Sequence, residues 1–401
     1  KKEERVMSSL DNTFQELGEG KIILLDSGET IFKLDSFKNN PIIKPLDIGL
    51  TWYENGELRI GAVFNGGAEI FQDKVILTPR CHQRYHKSTF FDEKLGIERF
   101  CLENYISEVW PLISKDGIHF TRYKNVVIRG DGTDHKDFIY GIEDVRIIEY
   151  DHKYLLIGCG KVKPPFKGEN GDRIAIYSTE DFVNITFHGI IESFDSRNAV
   201  PFPETVDGRY FLLLRFYPNI HLDFLEADID QILNPSKYKE HWKKIYKRRS
   251  QTILLEAGHY PHEKEKIGPG TQMIKTDRGW LLIYHAVGEI KEDICKVYGL
   301  TRKIERGYSI CAALLDLNNP RKVLCQTKYP IYIPSASYEL NGNEQYPVDV
   351  PAVVFPVGAI VRKNKLVLYA GAGDKYIILL SCDLENLVNY LWNYSKCIEE
   401  D

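Results

Sequence analysis

The chain has 401 residues, a net charge of −5 and 43% apolar side chains, enough to bury a large core. Charges of both signs are interspersed, which excludes an extended basic surface for nucleic acid. No apolar run approaches the roughly 18 residues of a membrane-spanning helix, so no membrane partner is expected.

Eight cysteines fall at Cys81, Cys101, Cys159, Cys295, Cys311, Cys325, Cys382 and Cys397. None forms a CxxC pair, so zinc spacing is absent and no metal is expected. Cys159 and Cys382 lie within apolar, strand-like runs. The set reads as reduced, core-filling thiols of a cytoplasmic protein and not as a disulfide framework. No hydrophobic signal core follows the opening KKEER.

From the N-terminus, Val6, Leu10, Phe14 and Leu17 recur at helical spacing and the segment ends on glycines. One short helix is predicted there, within an extension over 1–30. Beyond residue 30 the pattern is of β-hairpins, rich in Tyr and Phe and punctuated by turns. Five hairpins resemble one another: GAEIFQDKVILTPR (67–80), VRIIEYDHKYLLIG (145–158), FPETVDGRYFLLLR (202–215), TQMIKTDRGWLLIYH (271–285) and GAIVRKNKLVLYAGAG (358–373). In each, a short strand and a polar turn lead into an almost continuously apolar strand. Such runs suit strands covered on both faces. The spacing between hairpins leaves room for a second hairpin in each unit. Repeated four-stranded units predict an all-β fold, a five-bladed β-propeller over 31–382. The alternative is an ordinary β-sandwich.

Two stretches depart from this pattern. Residues 235–250, PSKYKEHWKKIYKRRS, are strongly basic, with Trp242 and Tyr246 one helical turn apart. They read as a solvated surface helix; a contact in a homo-oligomer and a lid over an anionic substrate are the alternatives. The segment 383–401 is expected to close the fold with a helix that starts on an Asp383 N-cap and carries Leu387, Tyr390 and Leu391 on one face.

The chemistry is positional. The start of a hairpin's first strand and the end of its second lie at the same end of the hairpin. There the sequence places Asn65 and Arg80 for the first hairpin, Glu143 and Asp144 for the second, and Arg197, Asn198 and Arg215 for the third. Lys266 and His285 flank the fourth, and Asp374 ends the fifth. In a propeller these ends converge on one mouth of the central channel. Arg, Lys and His dominate three of them, opposite one acidic pair. Guanidinium forks and an ammonium suit an oxyanion such as phosphate. One carboxyl group beside it can act as a general acid. A glycosidase ordinarily needs two carboxylates, whereas phosphate is already an anionic nucleophile and needs only a cationic clamp and an acid.

At these residues the sequence resembles glycoside hydrolase family 130, the β-mannoside phosphorylases and related enzymes, from about residue 60 to 390. GIEDVRIIEYDHKYLLIG is similar to the family's EDPR strand, RNAVPFPETVDGRYFLLLR to its phosphate-site hairpin and KIGPGTQMIKTDRGWLLIYHAV to its KIGxG segment. YSICAALLDLNNPRKVL with VVFPVGAIVRKNKLVLYAGAGD resembles its closing blade. The resemblance implies a five-bladed propeller in which Asp144 is the proton donor, acting through a mannose hydroxyl. It implies phosphate binding by Arg197, Asn198, Arg215, Lys266 and His285. It also implies that Asn65, Arg80 and Asp374 hold the mannose at the cleaved position, with Glu143 orienting substrate or structure. The implied reaction is inverting phosphorolysis of a β-1,2- or β-1,4-linked manno-oligosaccharide, or of mannosyl-glucose, to α-mannose 1-phosphate and a shortened acceptor. Its partners are the β-manno-oligosaccharide and inorganic phosphate, a co-substrate, with no further cofactor.

The sequence departs from the family pattern at Val145, at Thr271–Gln272–Met273, at Phe216 and at Ala286, beside the acceptor and phosphate sites. The alternatives are a β-mannoside hydrolase of the same fold and a non-catalytic propeller that binds glycans or a protein. Hydrolases of the family lose phosphate-binding Arg and His positions, whereas this chain keeps Arg197, Arg215 and His285. Strand alternation predicts that Glu143 and Asp144 face opposite ways. HQRYHK (82–87) reads as a surface loop or an acceptor contact, and GDGTDHKD (130–137) as a solvated loop.

Overall fold

The computed structural model describes residues 8–103, 105–130, 141–162 and 171–397. Val6 and the loop residues 131–137 lie outside these. The described chain is mostly antiparallel β-strand, arranged as five sheets and three separate two-stranded ribbons.

Each predicted hairpin falls in a different sheet, although the first strand of the third sheet, Ala199–Pro201, lies just before the predicted 202–215, and Lys266–Pro269 precedes the fourth hairpin. Ala62–Phe71 and Lys74–Gln83 begin the first, Ile142–Tyr150 and Lys153–Lys161 the second, Ala199–Pro201 and Tyr210–Phe216 the third. Ile274–Thr276 and Lys266–Pro269 both pair with the long strand Gly279–Ile290 in the fourth. Val354–Arg362 and Lys365–Ala372 begin the fifth. That last sheet is completed from the other end of the chain, by Asp35–Ser36 pairing with Tyr376–Asp383.

The apolar core is divided in the same way. One cluster, with Phe71, Ile76, Ile147 and Leu156, lies between the first and second sheets. Ile157, Ile176, Leu212 and Leu214 join the second to the third. Leu213, Leu222, Trp280 and Leu282 join the third to the fourth. Leu281, Ile283, Leu366 and Leu368 join the fourth to the fifth. Val75, Leu77, Val367 and Leu379 join the fifth back to the first. Along Gly279–Ile290, therefore, Trp280, Leu282 and Tyr284 face one neighbouring sheet while Leu281 and Ile283 face the other. Both faces are covered, which is why these strands read as unbroken apolar runs.

Arg146 ties sheets together through their backbone. Fully buried, it donates to Gly270 O at 2.7 Å, Pro269 O at 2.9 Å and Asp144 O at 3.1 Å. Arg146→Met is expected to lower unfolding stability by about 3 kcal/mol, because three buried acceptors lose their donor. An unshifted denaturant midpoint would contradict this.

The termini follow the predicted pattern with one correction. Ser9–Glu16 is helical, and Leu10 and Phe14 are buried beneath it. Leu384–Tyr394 is helical, with Asp383 at the N-cap position, yet the Asp383 carboxylate does not cap. It pairs with Lys365 Nζ at 2.6 Å, and Asn364 Oδ1 accepts from the Glu385 N–H instead. In the basic stretch, Lys239–Lys247 is helical and buries Trp242 and Ile245. Its cations pair locally, Lys239 with Glu192 at 3.1 Å, Lys244 with Glu226 at 3.4 Å and Arg248 with Asp223 at 2.7 Å. It is a surface helix with several of its cations paired in place.

Candidate active site

Three predicted site residues have backbone conformations that L-residues seldom adopt. Asn65, Asp144 and Asp374 have φ of 46°, 55° and 50°. Asn65 and Asp144 sit at register shifts, between Phe64 and Gly66 and between Glu143 and Arg146. A bulge re-aims side chains at a strand end, and strain of this kind collects at functional sites.

The bulge overturns the expectation that Glu143 and Asp144 face apart. Both carboxylates reach the same two arginines. Arg197 Nη2 lies 3.0 Å from Glu143 Oε1 and 3.0 Å from Asp144 Oδ2. Arg80 Nη2 lies 2.5 Å from Glu143 Oε2, and its Nη1 lies 3.5 Å from Asp144 Oδ1. Asn65 Nδ2 donates to Asp144 Oδ1 at 3.2 Å. Strict alternation fails because one residue with positive φ turns the chain back on itself.

Burial pushes the Asp144 carboxyl up, but Arg80 and Arg197 outweigh it and hold Asp144 well below the usual carboxylate range. Asp374 behaves oppositely. Burial raises it to about 7, with Arg80 working against the rise and Asp144 adding to it. Gly371 makes room at this point, since a Cβ there would stand 1.9 Å from Asn65 Oδ1.

The remaining predicted residues form a second, cationic group beside the first. Arg215 N–H donates to Asn198 O at 3.1 Å. Arg215 Cδ and the His285 ring meet over Gly268, where an added Cβ would lie 3.0 Å from one and 2.5 Å from the other. Among the described residues no carboxylate lies within ion-pair distance of Arg215. Its pKa is lowered by burial and then by Arg197. Lys266 is lowered chiefly by burial, and its one acidic neighbour is Glu265, 3.9 Å away. His285 is kept neutral by burial and by the charges of Arg215 and Lys266. Both its ring nitrogens, and both amide atoms of Asn198, are buried without a hydrogen-bond partner. Buried polar atoms left open beside the unpaired Arg215 guanidinium and the Lys266 ammonium suit an anion.

Several participants carried no sequence signal. His82 is not on a surface loop: it is fully buried, and its Nε2 accepts from Arg80 Nε at 2.8 Å. Its ring stacks on Tyr105 at 4.4 Å. Asp172 binds Lys161 and lies 3.7 Å from Arg197 Nη1. Glu143, Cys159 and Asp172 offer three ligand atoms within 4.8 Å of one another. The carboxylates are engaged by Arg80, Arg197 and Lys161, and burial holds Cys159 as a thiol. The cluster therefore fits an ion-pair network better than a metal-ligand set. Tyr308 was missed because it lies mid-strand in Ile304–Leu315, where side chains of the core are expected, and Asp172 because it opens Asp172–Thr179, the third strand of its sheet, which no predicted hairpin included.

Tyr308 completes the cationic side. The Lys266 ammonium lies 5.5 Å from its ring centre. Burial raises the phenol, but Lys266, Arg306 and Arg99 outweigh it and bring its pKa down to about 8. Above that pH the group becomes an anion beside Lys266. If the site binds an oxyanion, KM for that ion should rise above pH about 8, and Tyr308→Phe should remove the rise. A KM that is equally flat in both proteins across alkaline pH would refute the placement.

The family described as β-1,4-mannooligosaccharide phosphorylase matches residues 34–393. The chain is 27% identical over 395 residues to a β-1,2-mannobiose phosphorylase of Listeria innocua, covering 87% of this chain and 95% of that protein. It is 28% identical over 283 residues to a 1,2-β-oligomannan phosphorylase of Thermoanaerobacter sp. strain X514, covering 71% and 81%. The solved Listeria innocua β-1,2-mannobiose phosphorylase, in complex with β-1,2-mannobiose, superposes with a TM-score of 0.65 at 24% identity. That match covers 89% of this chain and 99% of the other.

Proposed function

The chain belongs to glycoside hydrolase family 130, and on that premise we propose that it phosphorolyses β-mannosides with inversion, releasing α-mannose 1-phosphate and a shortened acceptor. The observation that carries this reading is the open anion site of Arg215, Asn198 and His285 beside the strained Asp144 carboxyl. Arg197 bridges the two.

Asn65, Arg80 and Asp374 hold the terminal mannose, and Glu143 fixes Arg80 and Arg197 from behind. Arg197, Asn198, Arg215, Lys266 and His285 clamp phosphate under the sugar ring. A phosphate oxygen attacks the anomeric carbon as the glycosidic C–O bond breaks on the opposite face. The leaving oxygen takes a proton from a mannose hydroxyl, which takes one from Asp144. Asp144 is ionised in the free protein. The bound phosphate offsets the positive field of Arg197, so that the carboxyl is protonated in the ternary complex. Phosphate already bears negative charge, so no second carboxylate is needed as base. This reading requires no cofactor beyond phosphate.

We further read the five sheets as blades of a propeller, with 31–382 as the catalytic unit, flanked by 1–30 and 383–401. The support is the ring of five shared apolar clusters, the last joining the fifth sheet to the first. We place the reaction in the cytoplasm, since the cysteines whose side chains are described are all free thiols. The test is to incubate the protein with β-1,2- and β-1,4-linked manno-oligosaccharides, with and without phosphate. Turnover that ignores phosphate would overturn the proposal.

A further inference from the structure

The carboxylates of the acid group hold Arg197 by one nitrogen only. Its Nη2 donates to Glu143 Oε1 and to Asp144 Oδ2, both at 3.0 Å. A fork attached through a single nitrogen can still turn about that point. Nη1 faces a third carboxylate, Asp172, whose Oδ2 is 3.7 Å away. That separation attracts the guanidinium but is too long for a hydrogen bond. Among the described residues, neither Nη1 nor Nε of Arg197 donates one. Of the five N–H groups of a guanidinium, the two on Nη2 are engaged here and the other three stay open to a ligand. The plane of the fork is nevertheless set from two sides.

Asp172 is itself fixed. Its Oδ1 accepts from Lys161 Nζ, which stands directly opposite it on the neighbouring strand, and from Cys159 Sγ at 3.4 Å. Oδ2 is the oxygen turned towards Arg197. Cys159, Lys161 and Asp172 are all buried. Burial alone would raise the Asp172 carboxyl, but Arg197 and Lys161 outweigh it, and it stays an anion. Burial likewise works against the charge of Arg197, and Asp172 comes first among the groups that offset it, ahead of Glu143.

The backbone repeats the attachment. Asp172 opens its strand, and its carbonyl accepts from the Ser196 N–H at 3.2 Å. The next residue, Arg173, pairs with Asp195. Ser196 Oγ donates in turn to Arg215 O at 3.0 Å. The strand end that supplies the carboxylate therefore also holds the two residues that lead into Arg197.

We propose that Asp172 is a positioning residue for phosphorolysis: held by Lys161 and Cys159, it orients Arg197 so that one edge of the fork meets Asp144 and the other stays open to phosphate. It acts through Arg197 and not on the substrate. This inference rests on the phosphorolysis reading above, and its test separates the two.

The sign of the effect is diagnostic. Asp172 and phosphate are both anions, so on charge alone Asp172→Asn would tighten phosphate binding. If the carboxylate orients Arg197, the same change weakens it. The measurement is initial-rate kinetics of the wild type, Asp172→Asn and the double variant Asp172→Asn/Lys161→Met, with phosphate and β-mannoside varied separately. Asp172→Asn should raise KM for phosphate about tenfold, with KM for the mannoside and kcat at saturating phosphate within about twofold of the wild type. A KM for phosphate that is unchanged or lower would overturn the proposal, as would equal rises in both KM values or a loss confined to kcat. If the single variant fails to fold, because the buried Lys161 loses the carboxylate it binds, the double variant removes both charges together and should show the same rise. If neither folds, the pair belongs to the fold and the assignment falls. If no β-mannoside is phosphorolysed, the reaction reading fails, and calorimetry with inorganic phosphate alone decides on Asp172. Binding about tenfold weaker in the variant sustains its role towards the anion. Equal binding, or none by either protein, overturns it.

Discussion

Asp144→Asn is expected to lower kcat for phosphorolysis by about a thousandfold with the fold preserved. Asp144 receives Asn65, Arg80 and Arg197 on its two oxygens. Two other carboxyls lie near it. Glu143 is fully buried and held by both arginines. Asp374, which burial raises to about 7 and on which Arg80 and Asp144 both act, can also hold a proton, and is assigned above to the mannose. The amide keeps the shape of the side chain and removes the proton. Unchanged thermal stability together with lost turnover separates this outcome from misfolding. Turnover within about tenfold of wild type would show that Asp144 is not the acid, since general acids contribute about 10²–10⁴.

Arg215→Ala is expected to raise KM for phosphate by about a hundredfold, with a much smaller effect on KM for the mannoside. Its guanidinium has no carboxylate partner among the described residues and is repelled by Arg197. An anion between them relieves that repulsion and gains charge-assisted hydrogen bonds. The check is initial-rate kinetics over phosphate concentration at saturating mannoside. Phosphate dependence unchanged from wild type would remove Arg215 from the clamp.

The sheets and the site differ in how far they could be read from residues alone. The five hairpins were visible because strands covered on both faces are apolar throughout, and their polar ends stood out by contrast. Asn65, Arg80, Asp144 and Arg197 do converge. The orientation of Glu143 was not visible, since local alternation carries no record of a bulge whose residue has positive φ. His82 was hidden for a related reason. HQRYHK looks like a polar loop, yet His82 lies within the strand Lys74–Gln83, under Arg80. Asp172 and Lys161 pair across neighbouring strands, a contact that only the register reveals. The helices Asp228–Leu233 and Glu292–Val297 are too short to establish a period.

In this mechanism Arg215 and its neighbours gather one phosphate ion on the face of a mannoside opposite the acid Asp144. Phosphorus NMR of the protein mixed with a β-mannoside and inorganic phosphate addresses it most directly. The α anomer of mannose 1-phosphate should grow in step with phosphate consumed, and no sugar should be released when phosphate is left out. Free mannose formed at the same rate in phosphate-free buffer would contradict it.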